Sequence, residues 1–158
     1  MYIINMTIEH FMSQAMILAK RAFANNEVPV GAIIVKDNKI IGSGFNQVIK
    51  KNSVSAHAEI IAINNASKFL NNYRLNNCDM YVTLEPCHMC SKAIVDARIN
   101  CLYFGATEPK TGAIESIDKF LAREDLNHRV DFSGGHLADD SSLLLKNFFQ
   151  SKRLKVNY

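Results

Sequence analysis

The chain has 158 residues, 48% of them hydrophobic and 21% charged, and a formal net charge of +3. That size suits one domain spanning residues 1–158 with its own apolar core, and it excludes a chain that folds only around disulfides or metal. No apolar run approaches the roughly 18 residues of a membrane span, and Met1-Tyr2-Ile3-Ile4-Asn5 lacks the charged start and apolar core of an export signal, so a soluble cytoplasmic protein with no membrane partner is expected.

Thr7 is placed to cap a helix running to about Asn25, because Ile8, Phe11, Met12, Ala15, Ile17, Leu18 and Ala22 recur at helical spacing. Val28 to Val35 reads as a strand, Asp37-Asn38 as a turn, and Lys39 to Phe45 as the antiparallel partner. Asn46 to Val54 is polar and irregular and reads as a loop over a site. Ser55 can cap a helix from about His57 to Leu70. Met80 to Leu84 is the next strand, and Pro86 suits the start of a helix reaching about Ala97. Cys101 to Gly105 reads as a fourth strand, Thr107 to Gly112 as a loop, Ile117 to Leu121 as a short helix, and Val130-Asp131-Phe132 as a fifth strand. A last helix begins at Asp139 or Asp140 and carries Leu143, Leu144, Leu145, Phe148 and Phe149. Helices alternating with short β-branched strands predict an α/β architecture, a three-layer helix/sheet/helix sandwich with a mixed sheet of about five strands.

Four cysteines in a chain without an export signal are metal ligands or core residues before they are disulfides. Cys78 and Cys101 lie near apolar runs and read as small buried residues, whereas Cys87 and Cys90 have the C-x-x-C spacing. Three apart at the start of a helix, two thiolates reach one ion. His57 also opens a helix, so its imidazole can join them; three protein ligands leave a tetrahedral zinc one open position, which is the mark of catalysis. Glu59, two residues from His57, would diverge from it in mid-helix but shares its direction past a helix end. A closed zinc knuckle would need a fourth protein ligand, and His88, the nearest candidate, rotates away from the ligand side. Helix N-termini add unpaired N–H groups and partial positive charge, which favour thiolates. The expected cofactor is one Zn²⁺ per chain held by His57, Cys87 and Cys90, with Glu59 as the catalytic acid/base.

His57-Ala58-Glu59 with Pro86-Cys87-His88-Met89-Cys90 is the H-x-E and P-C-x-x-C pairing of nucleobase deaminases. Together with Glu27-Val28-Pro29-Val30-Gly31-Ala32, Asn72-Tyr73-Arg74-Leu75, Tyr81-Val82-Thr83-Leu84-Glu85, Lys110-Thr111-Gly112-Ala113, Asn127-His128-Arg129-Val130 and Leu137-Ala138-Asp139, it makes nearly the whole chain resemble the bacterial tRNA-specific adenosine deaminases of the cytidine deaminase superfamily. The resemblance implies a cytidine deaminase-like fold, a homodimer, and hydrolytic conversion of the wobble adenosine of a tRNA anticodon stem-loop to inosine with loss of ammonia. It implies that Asn46, Pro29 and Ala58 surround the flipped nucleoside. It places Glu108, Lys110 and Asn127 on the RNA side. Departures from the family pattern are Phe23 for tryptophan, Val54 for proline and Glu108 for aspartate. The residues themselves support RNA through Lys146, Lys152, Arg153 and Lys155 interleaved with Phe148 and Phe149, one phenylalanine of the pair closing the core. Two other readings stay open: a free cytosine, guanine or nucleoside deaminase with the same zinc and glutamate, and a non-catalytic zinc-binding RNA module.

Overall fold

The computed structural model describes residues 5–156; Met1 to Ile4, read above for export signals, lie outside the described residues. The elements run α1 (Ile8–Ala24), β1 (Gly31–Lys36), β2 (Lys39–Phe45), α2 (Ala58–Leu70), β3 (Asp79–Leu84), α3 (His88–Asp96), β4 (Cys101–Ala106), a 3₁₀ turn (Phe120–Ala122), β5 (Asp131–Ser133) and α4 (Ala138–Val156). The strands form one five-stranded sheet in the order β2-β1-β3-β4-β5. β1 pairs antiparallel with both β2 and β3, while β3, β4 and β5 run parallel, so the expected mixed sheet is what the chain builds. Among the described residues no helix is long and apolar enough to cross a membrane.

The alternation along β1 sorts the two faces. Ala32 and Ile34 join Ala58, Ala62 and Ala66 of α2 and Ile94 and Val95 of α3 in one core cluster, whereas Ile33 and Val35 meet Phe11, Met12 and Ala15 of α1 on the other side. α4 shares the α1 side, where Phe148 is buried and sets its ring edge against Phe23 at 5.6 Å. Thr7 caps α1 by accepting from the N–H of His10 at 3.1 Å. Asp37 and Asn38 both sit at positive φ, +50° and +62°, as a two-residue hairpin turn of the right twist requires.

Four local expectations shift, each for a physical reason. Val28 to Val30 are not strand, because the Val30 N–H bonds back to the Val28 carbonyl at 2.8 Å and β1 begins only at Gly31. Ser55 does not cap α2: the cap position is His57, and Ser55 Oγ pairs instead with Ser53 Oγ at 3.0 Å. Cys87 is the residue before α3 and not its first turn, which leaves Cys90 three residues on and still on the same side. Ile117 to Leu121 do not form a helix, since the N–H groups of Ile114, Glu115 and Ser116 are turned toward the carboxylate of Glu85 and only Phe120 to Ala122 make a 3₁₀ turn. Cys78 is buried as expected, Cys101 is half-buried, and all four cysteines are free.

Everything that builds a site lies at one end of the sheet. β1 starts there, β2, β3 and β4 finish there, and the segments 27–30, 46–57, 85–88 and 107–116 therefore gather around the same edge. This is the end at which α/β sheets hold ligands. α2 is brought down onto β2 because the strand is bare of side chains where the helix crosses it. A methyl group on Gly44 would lie 2.6 Å from the Ala58 carbonyl and 2.8 Å from the Ala62 nitrogen. Those atoms are helix backbone and cannot rotate away. Gly44→Ala should therefore lift the first turn of α2, which carries His57 and Glu59, and destabilise the protein by about 2 kcal/mol. Urea unfolding measures this; an unchanged midpoint would show that α2 has room to retreat.

Candidate metal centre and active site

The two helix starts deliver three donor atoms that could hold a metal ion. His57, with φ −76° and ψ 152°, stands at the N-cap of α2, and Cys87, with φ −75° and ψ 176°, stands at the N-cap of α3. Neither side chain caps its own helix. Freed from that role, His57 Nδ1 lies 3.5 Å from Cys90 Sγ and 3.7 Å from Cys87 Sγ, and the three donor atoms all fall within 4.8 Å of one another. No other group of three His, Cys, Asp or Glu side chains among the described residues is so arranged.

The donor set and its spacing suit zinc. Around a tetrahedral zinc, bonds of about 2.3 Å to sulfur and about 2.0 Å to nitrogen set the two donors about 3.5 Å apart, which is the separation found here. The electrostatics agree. A hydrogen bond from the Cys90 thiol, with a further one to His57, pulls Cys87 down to about 4 despite its burial, while the same contact and burial drive Cys90 far upward. The bond to Cys87 also raises His57. Crowding therefore favours a thiolate at Cys87 and disfavours a second one at Cys90, and a bound cation would relieve that opposition.

Beside the donors is a 360 Å³ cavity that Asn46, Glu59 and Thr111 help line, along with apolar Val28, Val30 and Leu84. Three buried carboxylates face it, and they differ in what satisfies them. Glu27 accepts from the N–H of Ile49 at 2.8 and 3.2 Å and from that of Lys50 at 3.0 Å. Glu85 accepts from Glu108 and Ile114 at 3.0 Å, Glu115 at 2.8 Å, Ser116 at 2.9 Å, and also from the Ser116 hydroxyl. Burial alone would raise Glu85, but these donors more than offset it and hold its pKa below the usual value. Glu59 has no loop amide. Burial pushes its carboxyl up, opposed by its own N–H, the Cys90 thiol and the charge of His57. It is the group in the cavity built to carry a proton.

The other residues singled out in the sequence divide into those the cavity gathers and those it does not. Asn46 lines the cavity and its Oδ1 accepts the Ala58 N–H at 2.8 Å, doing for α2 the capping that His57 does not. Ala58 is fully buried, and Pro29 is buried between Val28 and Val30, which supply the wall. Glu108 lines the cavity and accepts the N–H of exposed Lys110 at 3.0 Å. Asn127 lies elsewhere on the surface, bonded to Arg98 at 3.2 Å. Phe149 and Arg153 are exposed on α4, where with Lys152 and Val156 they line a shallow surface hollow. His88 turns outward to Asp118 at 2.9 Å, as its place between the cysteines predicts. Sequence reasoning assigned no role to Glu27, Glu85 or Thr111; the signal was an acidic side chain at each end of an apolar run.

Residues 6–153 match the family model of MafB19-like deaminases. The tRNA-specific adenosine deaminase of Haemophilus influenzae is 47% identical over 146 residues, covering 92% of this chain and 84% of the relative. Among solved structures, one from a study of A-to-I editing by tRNA:A34 deaminases superposes with a TM-score of 0.83 at 42% identity, covering 85% of this chain and 98% of that one. A guanine deaminase from Bacillus subtilis gives a TM-score of 0.64 at 33% identity over 97% of this chain and 98% of its own. On this extent of likeness, over a fold and a His-Cys-Cys site already in place, the chain belongs to the tRNA-specific adenosine deaminase family.

Proposed function

We propose that this protein hydrolytically deaminates the wobble adenosine of a tRNA anticodon loop to inosine, releasing ammonia. The observation that carries the reading is Glu59, buried beside the His57-Cys87-Cys90 donors and left without a loop amide, together with relatives named for that activity. His57, Cys87 and Cys90 would hold the zinc, which when bound supplies Lewis-acid activation of water at its open position.

The chain's own residues do the rest. Glu59 takes one proton from the attacking water at a carboxylate oxygen and passes it to N1 of the adenine ring as oxygen adds to C6. It then carries the second water proton to the exocyclic amine, the C6–N bond breaks, ammonia leaves, and C6 becomes a carbonyl. Water and adenosine thus give inosine and ammonia. Burial helps because it raises the proton affinity of the carboxyl, so that a proton taken from water is held for transfer to the base. Val28, Val30 and Leu84 enclose the base, and Asn46 holds the start of α2 while facing it.

RNA is favoured over a free base by α4. Phe149 is 44% exposed, and Lys152, Arg153 and Lys155 follow it on the same helix, a pattern suited to phosphate attraction and base stacking. The likeness to a guanine deaminase supports the competing reading, in which the same zinc and glutamate act on a free purine base. We take the working form to be a cytoplasmic homodimer of one domain per chain, with Glu108, Lys110 and Asn127 on the RNA side, as the resemblance implies.

Incubation with an anticodon stem-loop whose wobble base is adenosine, and separately with guanine, cytosine, adenosine and cytidine, decides between them. Inosine from the stem-loop alone is expected; ammonia only from a free base or nucleoside would overturn the RNA assignment. Glu59→Ala should keep zinc and RNA binding and lose at least about a thousandfold in kcat, and appreciable turnover in that variant would remove Glu59 from the mechanism. Cys87→Ala should lose metal and activity together, checked by metal analysis of the purified variant; full zinc occupancy would mean a different ligand set. Replacing Lys152, Arg153 and Lys155 by Ala should weaken RNA binding and flatten the plot of log affinity against log salt by about 2, at roughly 0.7 for each phosphate no longer neutralised. An unchanged slope would make the end of α4 a solvated helix end.

A further inference from the structure

The geometry points to Glu27 as a positioning residue that holds the wall of the cavity formed by residues 46–56 and so sets affinity for a substrate reaching beyond one nucleoside. This rests on the RNA reading above and extends it to a residue outside the metal centre.

Glu27 is itself fixed by the end of α1. Asn26 sits at positive φ, +60°, its N–H bonds to the Phe23 carbonyl at 3.0 Å, and the Glu27 N–H bonds to the Ala22 carbonyl at 3.0 Å. That pair of bonds is a Schellman stop, and it makes Glu27 an extension of the helix. The loop opposite closes on itself. Gln47 N–H bonds to the Ala56 carbonyl at 3.0 Å, Lys51 N–H to Gln47 at 2.9 Å and Ser53 N–H to Val48 at 3.1 Å. The N–H groups of Ile49 and Lys50, at the head of this turn, go to the Glu27 carboxylate. A carboxylate only 2% exposed costs more to bury than any neutral acceptor, and two loop amides answer it. Those bonds fix Val48 and Ile49 against the cavity, with the Ile49 side chain 67% exposed at its rim.

The consequence separates substrates by size. A base or nucleoside fills the interior that Val30, Glu59 and Leu84 line; a nucleic-acid loop also covers the rim. Releasing the head of the wall at Ile49 and Lys50 therefore weakens capture of the RNA, while Asn46 keeps its bond to Ala58 and the reacting groups on α2 and α3 stay in place.

Steady-state kinetics on the zinc-loaded protein with an anticodon stem-loop, alongside backbone amide hydrogen exchange, tests this. Glu27→Ala should raise KM for the stem-loop by about tenfold with kcat within about threefold of the unaltered protein. Exchange at Ile49 and Lys50 should quicken while β1 and β3 amides keep their protection. Glu27→Gln retains one acceptor oxygen and should show a smaller rise in KM; it also carries the test should the alanine variant fail to fold. Unchanged KM in the folded variants overturns the proposal, and so does faster exchange spread equally over the core strands, the mark of a merely structural role. If the unaltered protein converts no stem-loop, the function proposed above fails, and the exchange at Ile49 and Lys50 still reports whether Glu27 holds the loop.

Discussion

A buried carboxylate is stable only where something answers its charge, and this protein places three of them around one cavity. Glu27 and Glu85 are answered by backbone amides from loops otherwise free to wander, so the cost of their burial is what draws those loops in. Glu85 alone gathers amides from Glu108, Ile114, Glu115 and Ser116. That is why a segment with little regular structure has a defined course and why Glu108 and Thr111 reach the cavity. Glu59 is left with a raised proton affinity beside the thiols and imidazole. Two carboxylates are consumed in shaping the site; the third is available for chemistry.

The same division of labour appears at the helix starts. A residue at an N-cap ordinarily uses its side chain to satisfy the first free amides, and His57 and Cys87 do not. Their side chains are released toward one another, and the capping of α2 is transferred to Asn46, a residue from the end of another element that also faces the cavity. Local rules are broken where function needs the atoms and repaired from a distance, as functional sites require. The repair couples the Asn46 loop to the turn that carries His57 through one 2.8 Å hydrogen bond. With Glu27 holding that loop from α1, three elements far apart in sequence fix a single wall.

Most of the architecture was legible because it rests on periodicity. The apolar spacing of α1, the continuous apolar, β-branched run of β1 and the turn residues Asp37-Asn38 each carry a local physical signature. The cluster of His57, Cys87 and Cys90 was legible because C-x-x-C and H-x-E constrain geometry over three residues and less. What failed was decided by long-range hydrogen bonds that no window of sequence contains. Ser55 is a good cap by type, yet the bond came from Asn46; Ile117 to Leu121 resemble a helix, yet Glu85, some thirty residues away, holds the amides just before them. Glu27 and Glu85 were visible as letters but not as acceptors, since an acidic residue beside an apolar run reads equally as an exposed turn.

This separation bears on how one fold serves different substrates. The sheet and the two converging helix starts do not by themselves distinguish an RNA base from a free one, since a guanine deaminase has a similar fold. Discrimination must come from parts that touch what lies beyond the reacting base. In this chain the parts that lie at the rim of the cavity or stand clear of the core are the loops held by Glu27 and Glu85 and the end of α4, where Phe149 and Arg153 are exposed and Phe148 is buried. The heads of these loops are fastened through buried carboxylates and not through the His57, Cys87 and Cys90 side chains, and Asn46 alone ties the first of them to the start of α2. The donors and the rim of the cavity are thus held by different sets of bonds that meet at Asn46.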